Sequence, residues 1–433
     1  MTLLRRLQLR GHAVLLGNIA ARVGALVCVF AATLVLARNG GPALVGLYAL
    51  LHVLPGLVGT ITSSGLPVAA PYFLAGPDRD DPRLRSTLIA MAVAGGAAGA
   101  LLWIASAPLI GPLVFRQLSV AIVMLAGVAV LSRLIVITAK ACSQGSDDLS
   151  GSNAIIFTEQ FMFLPAYASL WASGLRGAAV VVGALLLADA ITASLAWGRL
   201  LRRRFLQKPT RPSFELARRI AAFGLRGQVG GVMSLLNLRL DFVLLSVMTG
   251  PAVLGVYAVA SKFAELVRIL GMALQYVFYP MFAKDRRVRA AEKARGLMLK
   301  AVLLSSTLLA PLWVAAGFVI PLFYGRAFDS AVTPTRIILM GLALDAVAGV
   351  ITAFLYGVGR PGLNSLAIAG GLAATVVLDL LLIPRYAAIG AAIASAVAYT
   401  STALALLWFF VWVERSHQAP TLDEPAPARA HAS

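Results

Sequence analysis

The chain has 433 residues, of which 60% are hydrophobic and 13% charged, and its mean hydropathy is +0.86. A soluble domain holds about 45–50% apolar residues, so this composition excludes a water-soluble globular protein and describes a membrane protein. The charge is lopsided, 37 Lys+Arg against 18 Asp+Glu for a net +19, yet the basic residues stand in short loops between apolar spans, which argues a topology signal and against nucleic-acid binding.

The first apolar run begins near Val14 behind Arg5, Arg6 and Arg10 and continues to about Ala37. It is longer than the apolar region of a signal peptide and no small-residue cleavage site follows, so it reads as a retained first span. A span needs about 20 mostly apolar residues. Five more follow at 44–74, 87–112, 118–138, 153–173 and 177–197, and six after a basic stretch, at 220–248, 252–282, 298–322, 335–357, 363–384 and 388–412. The predicted fold class is therefore an all-α membrane protein of about twelve transmembrane helices. Pro55, Pro67 and Pro71 supply bends in the long second span, and Pro280 in the eighth.

The predicted organisation is a six-helix bundle over 1–199, a basic linker over 200–219 with Arg202-Arg203-Arg204, a second six-helix bundle over 220–412, and a disordered Ala- and Pro-rich tail over 413–433. With the N-terminus in the cytoplasm, 25 Lys and Arg fall in cytoplasmic segments and 6 outside. That ratio predicts both termini in the cytoplasm. The Arg run is expected to meet anionic lipid headgroups.

The two halves are related. Gly41-Pro42-Ala43-Leu44-Val45-Gly46-Leu47-Tyr48-Ala49-Leu50 returns 209 residues later as Gly250-Pro251-Ala252-Val253-Leu254-Gly255-Val256-Tyr257-Ala258-Val259. Six positions are identical and four exchange Leu and Val. Pro71 matches Pro280 and Phe73 matches Phe282 at the same offset. Duplicated halves in so apolar a chain indicate a transporter with its site between two bundles.

No nucleotide-binding loop, HExxH motif or soluble domain stands in the sequence, so no catalysis or ATP hydrolysis is expected. Cys28 and Cys142 lie in or beside apolar spans without metal spacing, and His12, His52, His417 and His431 are scattered. No metal and no cofactor is expected.

The informative residues are charges at membrane depth, which cost about 2.5–3.5 kcal/mol each at mid-span and usually face an interior. Arg22 lies on span 1, Arg226, Arg239 and Asp241 on span 7, and Lys262, Glu265 and Arg268 on span 8. Glu159 is on span 5, Asp189 on span 6, Asp345 on span 10 and Asp379 on span 11. Arg and Lys are the residue types that hold phosphate. Arg22, Arg226, Arg239, Lys262 and Arg268 are thus candidate anion-binding residues. Asp241, Glu265, Asp189, Asp345 and Asp379 are candidate coupling or structural acids. In the structural alternative Glu265 pairs with Lys262 or Arg268, Asp241 bonds to a neighbouring helix, and Arg133, near a span end, snorkels to the interface.

Several stretches resemble Wzx-type polysaccharide flippases. They are Gly255-Val256-Tyr257-Ala258-Val259-Ala260-Ser261-Lys262 after Leu240-Asp241, Tyr279-Pro280, and Phe323-Tyr324-Gly325-Arg326-Ala327-Phe328 after Pro321. Gly359-Arg360-Pro361, Leu382-Ile383-Pro384-Arg385-Tyr386 and Gly390-Ala391-Ala392-Ile393-Ala394 extend the likeness to the end of span 12. The resemblance implies the fold of the multidrug/oligosaccharidyl-lipid/polysaccharide exporter superfamily: two pseudo-symmetric six-helix bundles forming a V around a central cavity. It implies alternating-access flipping of a polyprenyl-diphosphate-linked oligosaccharide to the outer leaflet of a bacterial cytoplasmic membrane, for O-antigen, capsule or exopolysaccharide. Polymerase machinery would be the partner, and the transporter would act as a monomer. A cation-coupled multidrug or metabolite antiporter of the same fold is the alternative. Two positions depart from the family's habit: Ala387 stands where Gly is common, and Asp379 where Asn is common.

Overall fold

A computed structural model describes residues 2–206, 210–284 and 287–415, with the side chains of residues 2–16, 229–231, 234, 237, 238, 280, 284, 287 and 288 left aside. The expected tail after residue 415 lies outside the described residues. These form fourteen α-helices, two short 3-10 turns and no strand. The helices are α1 (Thr2–Thr62), α2 (Leu66–Ala75), α3 (Pro82–Val114), α4 (Val120–Ala126), α5 (Val128–Gly145), α6 (Leu149–Phe161) and α7 (Phe163–Ala172). They continue as α8 (Gly177–Arg202), α9 (Phe214–Met248), α10 (Pro251–Lys284), α11 (Arg287–Tyr324), α12 (Val332–Gly341), α13 (Asp345–Gly357) and α14 (Pro361–Arg415).

Seven described segments are long and apolar enough to cross a membrane. Two of them, Gly17–Thr62 and Pro361–Arg415, have 46 and 55 residues. At about 1.5 Å per residue each is more than twice the length that a ~30 Å hydrocarbon core requires. Each breaks midway, at Gly41 (φ 63°, ψ −162°) and Ala387 (φ 50°, ψ −126°), into two crossings. In α14 the reversal is direct, since Gly371 packs on Ala398 and Thr402. Ala387 carries the positive φ that glycine adopts without cost, a strain of about 1–2 kcal/mol for an L-residue. Three further crossings are less apolar or interrupted: α6–α7, split at Met162, and α9 and α10, which carry the mid-span charges. The count of about twelve from the sequence holds.

The halves share one core and part into two. One cluster joins Leu36, Tyr48, Trp103 and Tyr167 of the first half to Leu254, Tyr257, Ile320 and Phe328 of the second. All belong to the far end, opposite the chain's described beginning and end. At the near end, one cluster holds Phe73, Leu88, Cys142 and Leu200 of the first half together with Leu216 and Ile220 at the start of α9. A separate one holds Phe282, Ala294, Phe354 and Phe410 of the second. Phe73 and Phe282, equivalent in the repeat, thus sit in different cores. One core at the far end and two at the near end make a V that opens at the near end.

The repeat itself is the seam of the V. A Cβ on Gly46 would overlap the carbonyl of Pro251 and lie 2.8 Å from the Gly255 nitrogen. A Cβ on Gly255 would overlap the carbonyl of Pro42 and lie 2.9 Å from the Gly46 nitrogen. The duplicated decapeptide packs reciprocally on its own copy, backbone to backbone. Around it Thr33 Oγ1 meets Tyr324 Oη at 3.0 Å, Arg38 donates to Leu322 O at 3.0 Å, Arg116 to Val247 O at 2.9 Å and Ser246 to Val114 O at 2.7 Å.

The first third of α9 packs on the first half. Leu216, Ile220, Gly224 and Gln228, spaced every four residues, are buried on that face. Phe223 stacks on Tyr72 at 4.2 Å, Arg219 bonds Asp78 at 3.0 Å and Gln228 donates to Thr60 O. The expected second bundle beginning at 220 therefore lends its first turns to the first half.

Near-end loops are pinned by ion pairs. Asp148, with its side chain 2% exposed, caps α6 through Gly151 N at 3.0 Å and accepts from Arg199 Nε at 2.7 Å, with Arg203 at 3.2 Å. The Arg199 guanidinium bonded to it, helped by the Gly151 amide and Ser150 hydroxyl, holds the carboxyl down at about 2 against the cost of burial. A carboxyl depressed on folding stabilises at neutral pH and loses that contribution as pH falls through about 4 towards 2. Both arginines are largely solvated, which discounts the gain. Asp148→Asn should lower thermal stability at pH 7 by roughly 1–2 kcal/mol. In scanning fluorimetry the gap should narrow at pH 3.5.

Candidate functional site

The V's roof is built by α9 and α10. On α10 the residues from Leu254 to Ala260 are buried without interruption, in the seam. Further along, Phe263, Ala264 and Val267 stay buried, while Lys262, Glu265, Leu266 and Ile269 form the open stripe. Lys262 is seven residues, about 10 Å, beyond Gly255 towards the near end. Its Nζ lies 3.0 Å from Glu265 Oε2 and 3.2 Å from Oε1. Arg239, arriving on α9, donates to the same Oε1 at 2.7 Å and stacks its guanidinium 5.1 Å from the Phe242 ring. The side chains of Arg239, Lys262 and Glu265 keep 26%, 18% and 29% of their surface open, so the triad is packed yet reachable. Two cations share one carboxylate and carry a net +1. Their field reaches His52, and that of Glu265 reaches Tyr48, both on the first half. The triad therefore sits where the two halves begin to part.

The other candidates take different places. Arg22 is exposed and bonds Asn18 at 2.9 Å, which bonds Asn153 of α6 at 2.7 Å. Eleven residues separate Arg22 from Thr33, about 20° of azimuth on an ideal helix. Thr33 touches Tyr324 of the second half, so Arg22 lies near that face of α1, about 16 Å below the contact. Arg226 is exposed on the side of α9 opposite its buried Gly224 stripe, away from the first half. Arg268 turns from the triad and lies 5.0 Å over the Tyr399 ring, with Asp345 within its field. The expected Glu265 partnership is thus with Lys262 and Arg239, not Arg268, because Arg268 has an aromatic face within its own half.

The acids divide in the same way. Asp241 is buried and accepts from the Tyr257 hydroxyl and from Phe242 N at 2.8 Å, and Tyr257 meets Ser395 at 2.9 Å. It thus joins α9 to α10. Asp189 accepts from Ser132 at 3.0 Å and pairs with Arg133 at 3.5 Å. Arg133 does not snorkel: its side chain is 8% exposed and bonds the carbonyl and Nδ1 of His52. Its place near a span end is occupied by neighbouring helices rather than by lipid. Asp345 opens α13 with its carboxyl against Gly271. Asp379 is fully buried, and neither oxygen has a hydrogen-bond partner. Sequence reasoning passed over His52 and Tyr399. His52 is a lone ionisable residue within an apolar span, and the rule that selected the other charges applies to it equally.

Comparison with known proteins places this geometry. The model of the polysaccharide biosynthesis protein family matches residues 35–333. An uncharacterized membrane protein of Methanocaldococcus jannaschii, MJ1068, is 24% identical over 203 residues, 46% of this chain and 40% of that relative's length. An inward-facing multidrug resistance MATE family transporter of the MOP superfamily superposes with a TM-score of 0.72 at 14% identity, over 92% of this chain and 96% of the other. The lipid II flippase MurJ in an inward closed conformation gives 0.74 at 12% identity, over 94% and 90%. At such identities the likeness establishes the fold alone, a multi-pass helical membrane fold shared with these two proteins. With the family model matched over more than half its length, this chain belongs to the polysaccharide biosynthesis protein family.

Proposed function

We propose that the protein flips a polyprenyl-diphosphate-linked oligosaccharide between membrane leaflets for the assembly of a cell-surface polysaccharide. The observation that carries this reading is the net-positive Arg239–Glu265–Lys262 triad at the roof of a V in a chain of this family. Arg239 offers a bidentate fork and Lys262 a point charge to a diphosphate. Arg22, exposed on α1, offers a further cation nearer the open end. The near end, basic in sequence, is the cytoplasmic one, and the protein resides in a bacterial cytoplasmic membrane with both termini inside, next to anionic lipid. The diphosphate enters there and binds beneath the seam, while the glycan fills the V and the polyprenyl tail remains in lipid. The seam then parts and the near end closes. The protein works as a monomer, is not an enzyme, and passes its cargo to a polymerase.

The test is native mass spectrometry of the protein in mild detergent. Undecaprenyl-diphosphate oligosaccharide should be retained and should be lost from Arg22→Ala and Lys262→Ala proteins that remain folded. Retention undiminished in the double variant would defeat the reading. One observation favours an ion-coupled antiporter of the same fold: Asp379, buried and unpartnered, lies within the field of Asp241. A carboxyl of that kind takes up a proton or cation during transport. Retention of small organic cations, abolished by Asp379→Asn, would favour it.

A further inference from the structure

The far end of the first half holds a pocket that the diphosphate site does not use. The break at Gly41, the α3–α4 turn and the α7–α8 turn converge there around a cavity of ≈ 310 Å³. Asn39, Gln117, Tyr167, Trp171 and Arg176 form its walls over an apolar floor including Leu44 and Leu47. Its volume is at the lower edge of the roughly 300–1,000 Å³ of small-molecule sites, enough for one sugar ring.

The polar groups are of a particular kind. Arg176 is already engaged: its guanidinium lies 4.3 Å over the Trp171 ring and donates to the carbonyls of Trp171 and, at 2.8 Å, Leu175. Asn39 donates to the Tyr167 hydroxyl at 3.2 Å, leaving its own carbonyl oxygen open. Gln117 is exposed at the pocket's edge and has no side-chain partner among the described residues. What remains available is neutral: a free carboxamide, an amide oxygen and an indole that is 43% exposed with Arg176 over one face. Carboxamides both donate and accept, which suits adjacent sugar hydroxyls, and the aromatic face suits the C–H side of a pyranose. A phospholipid headgroup would want an unspent cation, and the one cation here is tied to carbonyls.

We propose that this pocket is a sugar subsite, one that holds a single neutral hexose-type unit of the glycan at the far side of the transporter. The proposal rests on the glycan-flippase reading and deepens it. Position supports it: Leu47, Gln117 and Leu118 also line a small cleft completed by Pro251 of the second half. The pocket therefore borders the Gly46–Gly255 seam, on the rim that opens when the halves part.

The experiment is saturation-transfer NMR on the full-length protein with methyl glycosides of glucose, galactose, mannose and N-acetylglucosamine, which carry neither lipid nor phosphate. At least one should receive saturation. Trp171→Ala and Gln117→Ala should weaken its binding fivefold or more, Trp171→Phe should restore most of it, and Lys262→Gln should leave it unchanged. The proposal is overturned if no glycoside binds, if binding ignores Trp171 and Gln117, or if glycerophosphocholine or glycerophosphoglycerol displaces the glycoside, which would make the pocket a lipid-headgroup site. Undecaprenyl-diphosphate retention by the same preparation separates the two readings. Retention without glycoside binding removes only the subsite, and glycoside binding without retention removes only the diphosphate site.

Discussion

Lys262→Gln and Glu265→Gln should move diphosphate binding in opposite directions. In the native triad the second cation is neutralised by Glu265, at 2.7 Å from Arg239 and 3.0 Å from Lys262. Replacing Lys262 leaves a neutral Arg239–Glu265 pair, a comfortable apo state with little to offer an anion. A charge-assisted hydrogen bond is worth about 1.5–3 kcal/mol, so affinity for undecaprenyl diphosphate should fall at least about tenfold. Replacing Glu265 does the reverse. Two cations that shared one oxygen now repel in a partly desolvated site, and the apo protein loses stability. A diphosphate supplies the missing negative charge, so it should bind more tightly and raise the melting temperature by more than in the native protein. Turnover should slow, because release now costs more. A purely structural triad predicts otherwise: both variants would lose stability and neither would change its response to the ligand. Thermal shifts with and without undecaprenyl diphosphate, alongside proteoliposome flipping rates, decide between these outcomes.

The fold was legible because its signals are compositional and repeated. Twelve apolar stretches and an offset of 209 are visible without coordinates, and Gly46 and Gly255 could be paired by that offset alone. Their mutual contact could not be read, since a repeat says that two segments are alike and not that they touch. The spans at α1 and α14 were separable in the sequence by Gly41-Pro42 and by Pro384 to Ala387, the residues that break them. At the site, charge at depth selected Arg239, Lys262 and Glu265. Spacing along α10 left Lys262 and Arg268 as equal partners for Glu265, and neighbouring helices settle the matter: α9 brings Arg239, and Tyr399 of α14 takes Arg268. Arg268 finds Tyr399, 131 residues away, and Arg133 finds Asp189 and His52. Such pairings depend on which helices are neighbours, and no local pattern records that.

Gly46→Ala and Gly255→Ala should each force the far-end seam apart. The atoms that a new methyl would strike are backbone, the carbonyls of Pro251 and Pro42. Backbone in a helix cannot turn aside as a side chain can, so relief comes from separating α1 and α10. Overpacking of this kind typically costs about 1–3 kcal/mol, which shifts a two-state equilibrium by a factor of roughly 5–150. The state penalised is the one with the seam closed, and the population should move towards the far-open state. Leu50, 1% exposed beside the seam, reports it: a Leu50→Cys protein should react slowly with a membrane-impermeant maleimide, and at least tenfold faster with Gly46→Ala added. The second alanine should add less than the first, because both act on one contact that is already lost. Gly370→Ala, where a Cβ meets open space, controls for helix propensity and should leave labelling unchanged. Equal labelling in all of these proteins would mean that the seam yields locally and is not the gate. If the seam is the gate, transport should fall in both variants even though every charged residue of the triad is intact. The repeat would then set the energy of the closed state, and the triad would set what is carried when it opens.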